Sequence, residues 1–334
     1  MNRPILRSIG PVFLIAGLLV SQALAATVNI DWVTVGNPGN AADPATGSLY
    51  GAVPYAYKIA RTETTIAQYA EFLNAKAKTD PYGLYDTNMG TYLNSAGITR
   101  SGTSGNYNYT VIAGSGNHPI TWVTWLDAAR FVNWLHNGQG SGSTETGAYN
   151  LNGASYGIFN AEPGATVWLP TEDEWYKAAY YDPTSGAGGG DNYWLYPMRA
   201  DTLVNNTVSA NYYDGDYATS GSSTYSSTQN YLTDVGAYAG QSSYYGTFDQ
   251  GGNVFEMTGT SVFLTVGGWS KVQRGGSWGS FGKLGTDMSS SYRGNISSNL
   301  TTGTTGFRVA SLPEPGSVAL LMLGVGAMVI KRRR

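Results

Sequence analysis

Leu169-Pro170-Thr171-Glu172-Asp173-Glu174-Trp175 opens a helix in seven residues. Thr171 and Glu174 stand in capping-box relation, Trp175, Ala178 and Ala179 would face inward, and Asp182-Pro183 ends the run. Glu172, Asp173 and Glu174 point to different sides of such a helix. They form no catalytic dyad, and acids in a first turn are favoured by the helix dipole. Two more helix starts flank this one. Thr65-Ile66-Ala67-Gln68 has the same capping form, with Ile66, Tyr69, Ala70 and Leu73 on one face ending near Asn74. Thr124-Trp125-Leu126-Asp127 opens the other, with Trp125, Ala128, Ala129 and Val132 on one side and Asn137-Gly138 as its stop. All three read as amphipathic surface helices.

Around these helices the chain is rich in Gly, Ser, Thr, Asn and Tyr, above all at residues 101–116, 138–157, 184–192 and 214–230. Extended patterns are short: 28–35, 55–60, 166–169, 271–274 and 307–310. No fixed-period repeat is evident, which disfavours a solenoid or propeller. Few helices, short strands and long loops predict one α+β domain around a single core.

Arg3 and Arg7 precede an apolar run at 11–20, and Ala23-Leu24-Ala25 supplies small residues, so residues 1–25 read as a signal peptide for signal peptidase. At the other end Pro313-Glu314-Pro315 precedes an apolar run at 316–330 and then Lys331-Arg332-Arg333-Arg334. Fifteen residues make a transmembrane helix of roughly 22 Å, a short span against about 30 Å of hydrocarbon. The four cations would remain cytoplasmic. This tail resembles the PEP-CTERM sorting signal. The resemblance implies recognition and cleavage by an exosortase, in a setting that makes exopolysaccharide. The expected division is 1–25 signal, 26–311 domain, 312–334 sorting segment. The expected route is export, transient anchoring in the inner membrane, then the cell surface or extracellular space, with membrane contact only through the tail.

Without Arg3, Arg7 and the terminal cations, 13 of the 19 Lys+Arg remain, and without Glu314, 21 of the 22 Asp+Glu. The body therefore carries about −8, which argues against a nucleic-acid partner. The chain has no cysteine, which excludes disulfides, thiolate metal sites and thiol chemistry. Nine tryptophans, 25 tyrosines and 45 glycines describe an aromatic protein with many turns and enough apolar mass for a core.

The helix starts fall into order with further motifs: Thr62-Glu63-Thr64-Thr65, His118-Pro119-Ile120-Thr121-Trp122, Leu169-Pro170-Thr171-Glu172-Asp173-Glu174-Trp175, Gly252-Asn253-Val254-Phe255-Glu256-Met257, Arg274-Gly275-Gly276-Ser277-Trp278 and Gly306-Phe307-Arg308. Together they resemble the formylglycine-generating enzyme (sulfatase-modifying factor) family. The resemblance runs over roughly residues 30–311 and implies a modified C-type-lectin-like, formylglycine-generating-enzyme-like fold. Oxidase members of that family hold copper(I) through two cysteines, which would fall near Gly285 and Ser290. Soft Cu(I) requires soft ligands, and neither residue is one, so no copper is expected. The reading leans away from an enzyme and keeps the scaffold without the reaction.

The remaining chemistry-bearing residues are few. His118 and His136 lack metal-ligand spacing and read as a loop histidine and a helix-end histidine. The glycine-rich stretch 186–190 lacks the Lys-Ser/Thr of a phosphate loop, and Ser277 has no adjacent base. Asp249-Gln250-Gly251-Gly252-Asn253-Val254-Phe255-Glu256 is the best metal candidate, two carboxylates flanking a turn that can aim carbonyls at a hard cation. The resemblance implies a structural calcium held by Asp249, Gly252, Val254 and Glu256, and a second begun by Asn211 and Tyr212. A ligand face is expected between Trp278 and Gly306, with Trp278 as wall and Phe281, Lys283, Asp287, Tyr292 and Arg293 as contacts. Such a face suits exopolysaccharide or another matrix component. The alternatives are an enzyme of different chemistry in the same groove and a protein–protein module of the biofilm matrix.

Overall fold

A computed structural model describes residues 27–184, 190–280 and 284–313. The expected signal peptide and all of the expected sorting segment but Leu312 and Pro313 lie outside these residues, as do Phe281 and Lys283. Among the described residues no helix is long and apolar enough to cross a membrane.

The three longer helices start where the sequence places them. α1 (Ile66–Lys76), α3 (Trp125–His136) and α4 (Glu172–Tyr180) each begin with a reciprocal capping box, at Thr65/Gln68, Thr124/Asp127 and Thr171/Glu174. A single turn, α2 (Asn88–Thr91), was not anticipated. The expectation of surface helices holds poorly for α3 and α4, which are enclosed almost all round. Arg130 and Asn133 on α3, and Glu172, Glu174 and Lys177 on α4, are all buried. Polar residues in those positions mimic a solvent face in the sequence, but each meets a specific partner inside. Arg130 pairs with Glu145 at 2.8 Å, and Asn133 bonds the backbone of Thr144 and Tyr149.

Strands β1 (Trp32–Val35), β2 (Tyr57–Ala60), β10 (Ala310–Ser311) and β5 (Val167–Trp168) form one antiparallel sheet in that order. The first and last strands are thus held in one layer, which closes the domain. A second sheet runs β8 (Gly294–Ile296), β7 (Gly268–Arg274), β6 (Phe255–Leu264), β9 (Thr305–Gly306), the last pair parallel. β3 (Ile98–Ser101) and β4 (Asn108–Val111) make a separate hairpin. The strand expected over 307–310 divides, because between β9 and β10 the chain turns Arg308 into the interior. β6 escaped the sequence reading. Its alternation breaks at Thr258-Gly259-Thr260, where the register with β7 shifts between Met257 and Ser261.

The main core lies between α1 and α3, where Tyr69, Phe72, Phe131, Trp134 and Phe307 pack with ring centroids 5.4–6.0 Å apart. A smaller aromatic cluster of Trp175, Tyr176, Tyr180 and Tyr193 surrounds α4. The result is the expected α+β, loop-rich architecture, with the turn before β6 tied to α4 by the Gln250 amide, which donates to the Trp175 carbonyl.

Candidate functional site

The turn before β6 is tightly constrained. Asp249, Gly252 and Asn253 all have positive φ, at 57°, 82° and 57°. A Cβ on Gly252 would stand 2.5 Å from the Asn211 carbonyl, so glycine is required there. Beyond the turn, the Glu256 carboxylate accepts from Arg308 Nε at 2.5 Å, from Arg308 Nη2 at 2.6 Å and from Trp175 Nε1 at 2.8 Å. Asp249 accepts the Gly236 N–H at 2.5 Å. Both acids are thus drawn inward, Glu256 against an arginine and Asp249 against a backbone donor.

A third acid joins them that sequence reasoning did not single out. Glu63, from the loop ahead of α1, is fully buried, and neither carboxylate oxygen accepts a hydrogen bond of ordinary geometry. Burial first, then the charges of Asp249 and Glu256, push its carboxyl well above the usual range, while Arg308 and the Val254 N–H oppose the shift. Burial likewise raises Asp249 to about 6. A cavity of about 10 Å3, room for one water-sized particle, lies against Asp249 and Gly251. Among the described residues no three acid or histidine side chains converge closely enough to hold a metal ion unaided. A cation here would draw further donors from backbone carbonyls.

Asn211 and Tyr212, the start of the expected second calcium site, belong to the same network. Asn211 accepts the Asn253 N–H at 2.7 Å and donates its amide to Asn253 Oδ1 at 3.1 Å and to the Tyr231 carbonyl at 2.8 Å. Tyr212 packs instead with Met198 and Met288. The downstream acids Asp214 and Asp216 accept instead from Asn206, through its N–H and its side-chain amide respectively.

Trp278 sits directly on the turn. Its backbone N–H donates to Asn253 O at 2.9 Å, and its ring stacks on Tyr231 at 4.8 Å and 12°. Above that stack opens a cleft of about 510 Å3 lined by Tyr92, Tyr213, Tyr217, Tyr225 and Trp278. Trp278 is its floor more than its wall, since the residue is 3% exposed and its indole N–H donates to Gly303 O. Tyr225 presents an exposed ring and bonds Asn94 Oδ1 through its hydroxyl.

The other expected contacts lie away from this cleft. Arg293 forms a bidentate pair with Glu172, whose other partner is the fully buried Arg274 at 2.6 Å. Asp287 is buried, in the packing beside Gly276. Tyr292 is half-buried against Phe255. Each had been placed at the groove by its position between Trp278 and Gly306, and each is instead consumed by packing around α4 and β7. The positions compared with copper ligands are also closed. A Cβ on Gly285 would come within 2.4 Å of Leu203 Cδ1, and Ser290 is buried with its N–H on Leu195 O. His118 lies 3.6 Å from Asp234, with burial lowering its basicity, and His136 bonds Thr166.

A family model described as the sulfatase-modifying factor enzyme 1-like domain matches residues 48–312. No curated protein matches the chain. Among solved structures, CarF is similar with a TM-score of 0.50 and 21% identity, over 86% of this chain and 100% of that one. Treponema denticola variable protein 1 is similar with a TM-score of 0.52 and 18% identity, over 87% and 98%. At such identities these two likenesses bear on the fold alone.

Proposed function

This chain belongs to the sulfatase-modifying factor enzyme 1-like domain family, and we propose that it is a binding module whose ligand face is the aromatic cleft over Trp278. Oxidase chemistry of the copper type has no basis in a chain without cysteine. The observation that carries the proposal is the cleft itself, four tyrosines over a buried tryptophan. Tyrosine offers an apolar face and a polar edge, which matches a saccharide ring with its C–H face and hydroxyl rim. The partner is accordingly a matrix saccharide. The setting follows the two chain ends: export through residues 1–25, anchoring by residues 312–334, exosortase cleavage, and residence at the cell surface or beyond.

Calcium belongs to the same proposal as a structural ion. Orphaned Glu63 and raised Asp249 fit a missing positive charge. Glu63 and Asp249, with the Gly252 and Val254 carbonyls, would hold it, and Glu256 would contribute what Arg308 leaves free. Bound there, the ion supplies charge that fixes the turn. Through Asn253 the turn then fixes Trp278 and, through Asn211, Tyr231.

A glycan array with the purified domain, beside a pull-down from the native envelope, tests the reading. Retention of a family of related oligosaccharides is expected. An array with no signal above background, together with a pull-down that yields only protein, would remove it.

A further inference from the structure

The longest ladder in the domain ends in an exposed, uncharged turn. From Met257 to Ser270 there is no Asp, Glu, Lys or Arg, in a body that carries a net negative charge. The β6–β7 hairpin closes through a three-residue loop after Leu264, with Gly267 at φ 102°. Phe263 and Trp269 sit directly opposite each other, rings 5.3 Å apart and edge to face, yet they are 61% and 45% exposed. Val266 at the apex is 87% exposed. Tyr156 extends the patch, its hydroxyl donating to the Trp269 carbonyl. Aromatic side chains held in water by a cross-strand pair, on a hairpin end that carries no charged residue of its own, mark a contact surface.

The chain's path indicates what covers it. Trp269 and Trp168 line one cleft of about 540 Å3. Trp168 pairs in register with Ala310, the Leu312 N–H reaches Thr166 O, and Leu312 is 52% exposed. The last described strand is therefore paired to β5, whose Trp168 forms one wall of the cleft that Trp269 of the hairpin also lines. In sequence only Pro313-Glu314-Pro315 separate Leu312 from the apolar run at 316–330. Three residues span at most about 10 Å. An apolar segment starting that close brings the exit face against whatever bilayer receives it.

We propose that the β6–β7 turn is a lipid-contacting surface, inserting Phe263, Val266 and Trp269 into the headgroup boundary beside the tail. Tryptophan and phenylalanine suit that boundary, and a charge-free turn on an otherwise acidic domain is the part an anionic surface repels least. The inference rests on the reading of residues 316–330 as a membrane segment and is independent of the saccharide cleft.

Because the chain has no cysteine, one label can be placed at will. Val266→Cys and Thr265→Cys report the exposed apex. Val204→Cys reports an exposed site by the Met288 cluster, near Gly276 beyond the other end of β7. Each full-length variant carries an environment-sensitive nitrobenzoxadiazole and is reconstituted into phosphatidylethanolamine/phosphatidylglycerol vesicles, with and without nitroxide-labelled lipid. The expected result is co-flotation, a blue shift at 265 and 266, and about twofold or greater quenching there by nitroxide lipid, with position 204 unchanged. Co-flotation with unquenched probes at 265 and 266 overturns this inference alone. Failure to co-float overturns it together with the tail reading. A blue shift already present without vesicles and insensitive to nitroxide lipid overturns it in favour of a turn covered by the protein's own tail or a second copy.

Discussion

Glu63, Asp249 and Glu256 share one buried guanidinium, Arg308, so the centre holds more negative charge than it neutralises when fully ionised. Burial holds Asp249 protonated up to about pH 6 in the folded state, against an ordinary value near 4. A folded carboxyl with a raised value binds its proton more tightly than the unfolded chain does. Its stabilisation is therefore present below about pH 4, is lost as pH rises to 6, and stays lost above. The proposed calcium would act in the opposite direction, because it would bind the ionised acids. The thermal midpoint gained on adding calcium to chelator-stripped protein should thus be several degrees at pH 8 and much smaller at pH 5. Equal gains at both values would place the ion elsewhere. Arg308→Met should cost about 3–5 kcal/mol in denaturant unfolding, since it leaves Glu256 buried and unpaired. Asp249, Gly252 and Glu256 were legible as a spaced motif. Glu63 was not, because an acid between two threonines looks like any surface acid, and its partners lie some 190 residues downstream.

Helix starts were the most legible elements because a capping box is a local bargain struck within four residues. Thr171→Ala should cost about 1 kcal/mol through the lost cap of α4. Glu172→Gln, one residue on, should cost about 3 kcal/mol or more, because Arg274 is wholly enclosed and loses its charge partner. Comparing the two by urea midpoints tests whether α4 is a surface helix or an internal one, and near-equal values would favour the surface. What the sequence concealed was the destination of the polar residues. Glu172, Lys177 and Arg130 have the spacing of a solvated face and are inside. Concealment also extended to β6, whose apolar alternation is interrupted by Thr258-Gly259-Thr260 where β7 slips in register.

At the scale of the molecule, two four-stranded sheets, the β3–β4 hairpin and three aromatic clusters carry long loops without a disulfide. The loops are held by side-chain amides and buried ion pairs: Asn94 to Ser226 and Gln229, Asn211 to Tyr231, and Glu172 to two arginines. Trp278, expected as a wall because it opens the stretch that ends at Gly306, lines the aromatic cleft. The tyrosines around it were missed, because Tyr92, Tyr213, Tyr217 and Tyr225 are scattered through loops with no periodicity and meet only in three dimensions. Position along the chain misdirected the rest, sending Asp287, Tyr292 and Arg293 to a groove they do not line. The function proposed for this cleft is saccharide binding by ring stacking. Titration calorimetry of an array-selected oligosaccharide into wild-type protein and Tyr225→Ala tests it most directly. The account predicts binding to the wild type and affinity weakened about tenfold, roughly 1.4 kcal/mol, in the variant with its melting curve preserved. Undiminished binding by a folded Tyr225→Ala, or no heat from any saccharide in the wild type, would contradict it.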